Sequence, residues 1–298
     1  MSGVLKTVSN LSVLIGAYSL SRVSYDLASG YLKYYHHPSK NLKSIYGPGS
    51  ILITGSSEGL GLAYATEFAA QGHDLILLAR NPKNLQEKKE LLEKTYNVKV
   101  ETIVFDLSNS DLMKYEELKE KLKGLDVAML VNNAAYYNEK NLSKLGFREI
   151  NDLIICNCLS GLLLSKILHG SFKNKAEKSA VINIGSQYAD RRLASTSNVY
   201  FSSKAFVNTV SRSINSQFFK PKIDTVTILP GLIRTSMFKK FYTEKEGFLD
   251  GLLIEEPRYL AKQTVRRLGY GENEIYGSQR QAFMNYLLKY VIGRFYEI

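Results

Sequence analysis

The sequence predicts a doubly wound α/β domain built on a parallel sheet, and three observations carry that prediction. Short apolar runs alternate with helix-like segments from residue 50 to residue 229; a glycine-rich turn, TGSSEGLG, joins the first run to the first helix; and 45% hydrophobic with 22% charged residues is the balance of a folded chain. Strand–helix alternation needs right-handed crossovers, which bury a parallel sheet between two layers of helix. At 298 residues the chain suits one such domain with terminal additions.

The first addition is apolar. Residues 7–21 (TVSNLSVLIGAYSLS) carry no charge, lie between Lys6 and Arg22, and meet no acid before Asp26. The run is shorter than the ~20 residues that span a bilayer, so it predicts either a marginal span, with Arg22 and Tyr25 at the interface, or an interfacial helix. A helix packed on the protein's own surface or on a partner subunit is the plain alternative. Serines at 2, 9, 12, 19, 21 and 24 also fit a mitochondrial targeting segment, but an uncleaved anchor over residues 1–35 is the expectation. Residues 36–49, with Pro38, Gly47, Pro48 and Gly49, read as a linker, and the folded domain as residues 50–298.

Within the domain, strands are expected at 51–54, 75–79, 98–105, 127–131, 180–184 and 225–229. Helices are expected from about 59, from about 84, and over 110–122, 150–168 and from about 199. Residues 236–256 mix Met237, Phe238, Phe241, Tyr242 and Phe248 with charges, and residues 279–296 read as an amphipathic C-terminal helix for a membrane surface or a dimer interface.

The formal charge of +11, from 39 basic and 28 acidic residues, favours anionic partners such as nucleotide phosphates, acidic lipid head groups or coenzyme A. No arginine-rich run or aromatic RNA-binding signature accompanies it, so nucleic acid is disfavoured. Cys156 and Cys158 flank a single residue, and the four histidines have no ligand spacing, so neither a disulfide framework nor a metal is expected.

The chemistry begins at the first turn. Gly55, Ser57, Gly59 and Gly61 lie where a strand hands over to a helix, and glycines there let a pyrophosphate approach backbone N–H groups and the positive helix end. Arg80 closes the second strand where an acid would bind the ribose of NAD; a cation there suits the 2′-phosphate of NADP. Glu58 inside the turn would oppose that phosphate if it pointed inward. Tyr200 and Lys204, four apart, share one helix face, close enough for the ammonium to favour a phenolate.

In chain order stand TGxxxGxG, Asn132-Asn133-Ala134-Ala135, Asn157, Ser186, Tyr200 with Lys204, and Pro230-Gly231 leading to Thr235. Over residues 50–240 this set resembles the short-chain dehydrogenase/reductase family, whose fold is Rossmann-like. The branch it looks most similar to is that of the membrane-bound very-long-chain 3-oxoacyl-CoA reductases and 17β-hydroxysteroid dehydrogenases, with sphingoid-base ketone reductases as neighbours. The resemblance implies that Tyr200 protonates a carbonyl oxygen while a nicotinamide delivers hydride, that Ser186 orients the same oxygen, that Lys204 also holds the nicotinamide ribose, and that Asn157 holds a water linking Lys204 to solvent. By the same motifs Asp106 and Asn132 would border the adenine and its ribose, and Pro230, Gly231 and Thr235 the nicotinamide. Ala135 departs from the family's usual glycine and crowds the cofactor by one methyl.

The resulting expectation is an NADPH-dependent reductase acting on a ketone of a lipid-like substrate, 3-oxoacyl-CoA or steroid, with residues 236–256 as the substrate lid. It would sit on a membrane through its N-terminal helix, in the endoplasmic reticulum by resemblance or alternatively the mitochondrial inner membrane, with a homodimer or a membrane-complex partner open. The rival readings are a nucleotide-binding accessory subunit of a membrane assembly with little turnover, and a structural partner with an empty site.

Overall fold

The computed structural model describes residues 2–35, 38–189, 198–217, 222–239 and 254–287. Its sheet consists of β1 (Ser50–Thr54), β2 (Leu75–Ala79), β3 (Val100–Val104), β4 (Val127–Asn132), β5 (Ser179–Ile184) and β6 (Ile223–Leu229), plus an edge strand at Glu274–Tyr276. The order is β3-β2-β1-β4-β5-β6 and then the edge strand, and every pair is parallel. The sequence expectation of a doubly wound sheet is therefore met, with the order reversing between β1 and β4. In such sheets that reversal opens a crevice at the strands' C-terminal ends.

The helices are α1 (Ser2–Tyr35), α2 (Leu42–Tyr46), α3 (Gly59–Ala70), α4 (Pro82–Tyr96), α5 (Leu112–Leu122), α6 (Phe147–Ile154), α7 (Ser160–Asn174) and α8 (Asn198–Gln217), followed by helices at Pro257–Arg266 and Gln279–Leu287. Their boundaries follow from local chemistry. Asn81 caps α4 by accepting the Asn84 N–H, Pro82 occupies the first turn, and Asn97 ends the helix in the left-handed conformation. Asp111 caps α5 in the same way, accepting the Met113 N–H.

One core layer joins α2, α3 and the helix Pro257–Arg266 to the sheet through Tyr64, Phe68, Ile51 and Leu260; the other joins α5 and α7 through Tyr115, Leu118, Leu164 and Phe172. Each such large side chain contributes about 1.5–3 kcal/mol by leaving water. The segment read as a linker is different from expectation. It contains α2, whose Leu42 and Tyr46 lie one turn apart and are buried, and whose Tyr46 hydroxyl donates to Asp224 at 3.0 Å. Loop-forming residues around it hid a two-residue apolar face that only the sheet's presence rewards.

α6 and α7 form one long helix, Phe147–Asn174, interrupted by a π turn at Ile155–Leu159. Among the described residues it is the one helix long and apolar enough to cross a membrane. It belongs instead to the fold, packing on β4 and β5 through Leu164, Leu168 and Phe172. α1 is helical throughout and turns Val8, Leu11, Leu14 and Tyr18 outward at 57–68% exposure. It touches the helix Gln279–Leu287. Of the expected lid, residues 240–253 lie outside the described residues; 236–239 are helical and 254–255 pair with Leu232–Ile233. Residues 288–296 of the expected C-terminal helix also lie outside them.

Candidate active site

The turn after β1 is shaped by what packs behind it. Gly55 and Gly59 take positive φ angles of 62° and 58°, the region glycine enters without strain. Gly61 is pressed against the Gly55 carbonyl, with Asn133 alongside. The Asn133 amide donates to the carbonyls of Thr54 (2.9 Å) and Gly55 (3.3 Å), and Thr54 Oγ1 accepts the N–H groups of Asn133 and Ala134. The loop after β4 is thus stitched to the glycine turn, and both border the crevice at the sheet's reversal. Ser57 is half-buried beside it.

Glu58, the residue of concern in this turn, directs its carboxylate to Ser236, whose hydroxyl donates to it at 3.0 Å. Thr235 lies close by, its methyl 3.5 Å from where a Gly59 side chain would begin. The Pro230–Thr235 segment therefore closes over the turn. Gln281 holds it from behind, accepting the Gly231 N–H (2.8 Å) and donating to the Leu232 carbonyl (3.0 Å). Arg80 is exposed at the end of β2 and makes no hydrogen bond or ion pair among the described residues. Asp106 folds back on its own loop, accepting the Ser108 N–H and hydroxyl. Asn132 points into the protein, donating to Asn183 at 2.9 Å, so any part it has in the crevice is through its loop.

The other group of residues assembles around α8. Tyr200, Lys204 and Asn208 recur every four residues and share one face. Lys204 is buried, donates to the Ile184 carbonyl at 2.8 Å, and stands 5.8 Å from the centre of the Tyr200 ring. Loss of water lowers its pKa from 10.5 to about 8, against a small opposing effect from Cys156 and Cys158. Tyr200 meets the edge of Tyr137 at 4.9 Å between ring centres. Burial, and then Tyr137, push its phenol up from 10.0. Dehydration thus favours the neutral phenol and acts against the phenolate that Lys204, whose ammonium stands over the ring, was expected to favour.

Asn157 sits in the π turn, which aims its amide inward. It accepts the Tyr136 N–H (2.7 Å) and donates to the Tyr136 carbonyl (3.0 Å) and to Ser203 Oγ (2.9 Å). Ser203 in turn donates to the Tyr200 carbonyl. With both amide hydrogens used, a water-holding role falls to the main chain or the second lone pair of Oδ1. Ser186 follows β5 and accepts the Tyr188 N–H on its hydroxyl at 3.1 Å. Behind Lys204 is a cavity of about 40 Å³ bordered by Asn132, Asn157, Asn183, Lys204 and Ser211. Asn132 Oδ1 has no hydrogen-bond partner among the described residues, and the volume is room enough for water.

Asn208 and Gln281 escaped the sequence reading, and Asn133 entered it within the motif after β4 without a role of its own. Asn208 was legible in principle, as the next residue on the Tyr200–Lys204 face; the partners of Asn133 and Gln281 lie 78 and 50 residues away, so no local pattern assigns them a role.

The short chain dehydrogenase family model matches residues 50–246. The very-long-chain 3-oxooacyl-coA reductase let-767 of Caenorhabditis briggsae is 31% identical over 205 residues, 67% of this chain and 64% of that protein. Mouse (Mus musculus) 17-beta-hydroxysteroid dehydrogenase type 3 is 30% identical over 227 residues, 75% of this chain and 72% of its own. Human (Homo sapiens) inactive hydroxysteroid dehydrogenase-like protein 1 is 28% identical over 265 residues, 87% of this chain and 75% of its own. The chain thus spans just under two thirds of the first relative's length. Among solved structures, a short-chain dehydrogenase from Sphingobium yanoikuyae in complex with NADPH superposes with a TM-score of 0.70 at 24% identity, covering 84% of this chain and 96% of that one.

Proposed function

The chain belongs to the short-chain dehydrogenase family, and on that premise we propose that it is an NADPH-dependent oxidoreductase reducing a ketone on a lipid-like substrate of 3-oxoacyl-CoA or steroid type. One observation carries the reading: a single face of α8 offers Tyr200, a buried Lys204 and Asn208, and the last two grip the end of β5 that bears Ser186. The substrate class rests on the names of the relatives and on the apolar residues of 236–256.

The residues present fit a phosphorylated dinucleotide. The positive-φ glycines open the backbone at the start of α3, Glu58 is engaged by Ser236, and Arg80 is exposed with no ion pair among the described residues. Gly55, Ser57, Gly59 and Gly61 would hold the pyrophosphate, Arg80 the 2′-phosphate, Asp106 and the Asn132 loop the adenosine, and Pro230, Gly231 and Thr235 the nicotinamide end. When bound, the reduced dinucleotide supplies hydride to the carbonyl carbon.

The chain's own residues handle the proton. Tyr200, a neutral phenol whose pKa burial pushes further up, carries a proton to give to the carbonyl oxygen as the alcohol forms. Ser186, whose Oγ accepts the Tyr188 N–H, retains its hydroxyl hydrogen for the same oxygen. Lys204, titrating at about 8, exchanges protons near neutrality and returns one toward Tyr200. The polar cavity beside it gives that proton a route, with Asn157 at its wall.

The exposed apolar face of α1 supports attachment to a membrane, and the family branch favours the endoplasmic reticulum. A second reading, a dinucleotide-binding accessory subunit with little turnover, is favoured by the human relative named inactive, which matches over 87% of this chain. The intact Asn157, Ser186, Tyr200 and Lys204 oppose it. Tyr200→Phe separates the two, since it removes only a hydroxyl. NADPH affinity should hold while ketone reduction falls ~100- to 10,000-fold. If the unaltered chain oxidises NADPH no faster than this variant across acyl, sterol and sphingoid ketones, the accessory reading replaces the enzyme.

A further inference from the structure

We propose that Asn208 is the positioning residue for Ser186, holding its hydroxyl in line with Tyr200; this inference rests on the reductase reading above. Asn208 is 1% exposed, and its amide closes on both backbone groups of one residue. Oδ1 accepts the Ser186 N–H at 3.3 Å, and Nδ2 donates to the Ser186 carbonyl at 2.9 Å. The clasp fits because the preceding residue is glycine: a Cβ on Gly185 would lie 1.9 Å from Asn208 Oδ1. Space for the amide is therefore built into the strand end.

The consequence is a rigid triangle. Tyr200, Lys204 and Asn208 are fixed relative to one another by the helix, and Lys204 holds Ile184 while Asn208 holds Ser186. The hydroxyls of Tyr200 and Ser186, borne on separate elements, thereby acquire one reference frame. The neighbours of Ser186 are tied to the end of β6, the Gly185 N–H to the Ile228 carbonyl (2.9 Å) and the Gln187 N–H to the Pro230 carbonyl (3.1 Å). Ser186 itself turns its N–H to Asn208 and shares its carbonyl between Asn208 and the Ala189 N–H (3.4 Å), so loss of Asn208 loosens this one residue between two anchored ones. A drift of about 1 Å at a reacting centre costs on the order of 100-fold in rate. Asn208 itself has no atom directed at the carbonyl; it acts through Ser186.

A double-mutant cycle tests this on the full chain, with NADPH and whichever ketone the unaltered chain reduces. Ser186→Ala should lower kcat on the order of 100-fold, as removal of an oxyanion donor does, and Asn208→Ala by about 10-fold or more. In the Ser186→Ala background, Asn208→Ala should cost less than about 3-fold, because there is no hydroxyl left to misplace. NADPH affinity should change by less than about 2-fold in both. Asn208→Asp keeps the shape and the acceptor but loses the donor to the Ser186 carbonyl, and it serves in the same cycle if the alanine variant does not fold. Multiplying losses, with Asn208→Ala or Asn208→Asp equally harmful with and without the Ser186 hydroxyl, would overturn the inference while leaving the reductase reading intact. Absence of turnover in the unaltered chain overturns both.

Discussion

Replacing Gly61 by alanine should damage the glycine turn by an amount the structure allows one to work out. A methyl at this position would lie 2.2 Å from the Gly55 carbonyl oxygen, 2.8 Å from its carbon and 2.5 Å from Asn133 Nδ2, where ordinary contact begins at 3.4 Å. Two of the three atoms are backbone, so no side-chain rotation relieves the overlap. Helix α3 must move by about 1 Å, and Asn133 must give way as well. Overpacking of this kind costs about 1–3 kcal/mol, and the two hydrogen bonds from Asn133 to Thr54 and Gly55 add about 1 kcal/mol each. Alanine's helix preference returns about 1 kcal/mol. The net loss is about 2–4 kcal/mol, a fall in Tm of about 3–8 °C for a chain of this size.

Thermal unfolding followed by circular dichroism, with NADPH titration by fluorescence, reads both consequences. Gly170→Ala is the internal control: it lies in α7, and an added Cβ there meets nothing within 4 Å. Its Tm should stay level or rise by a few degrees. If Gly61→Ala matched the control in Tm and bound NADPH like the unaltered chain, the close-packed turn would be the wrong account.

Arg80→Asp should erase or reverse a preference for NADPH over NADH, since charged hydrogen bonds contribute about 1.5–3 kcal/mol, roughly 10- to 100-fold in affinity; equal affinities in the unaltered chain would remove Arg80 from the argument. Lys204 should leave a signature in stability against pH. Its pKa falls from 10.5 in the unfolded chain to about 8 in the fold, so between those values the unfolded chain binds the extra proton and this residue's contribution to stability rises with pH. Below pH 8 the full cost of the buried charge, about 3 kcal/mol, is present. The stability difference between Lys204→Met and the unaltered chain, from urea unfolding at pH 6.5 to 10, should therefore stay level up to about pH 7.5 and then shift in favour of the unaltered chain as pH rises through 8; a constant difference over the whole range would refute the buried-charge account.

The fold class was written in the sequence because its causes are local. Apolar runs of five or six residues, the glycine turn, and caps such as Asn81 act over a few positions, and together they left one economical arrangement, the parallel sheet. The motif residues were readable for the same reason, each marking the end of a strand or the face of a helix. What lay beyond reach depended on partners distant in the chain. α2 became a helix because the core accepts Leu42 and Tyr46; Glu58 was disarmed by Ser236, 178 residues away; Asn133 and Gln281 found their roles across folded gaps.

The ionisation of the site shows the same division. Sequence spacing put Lys204 and Tyr200 on one face, which α-helical geometry dictates. That burial, and then Tyr137, push the Tyr200 phenol up while burial brings Lys204 down to about 8 was not legible in that spacing, because desolvation depends on everything packed around a group, and no pattern within one segment encodes it.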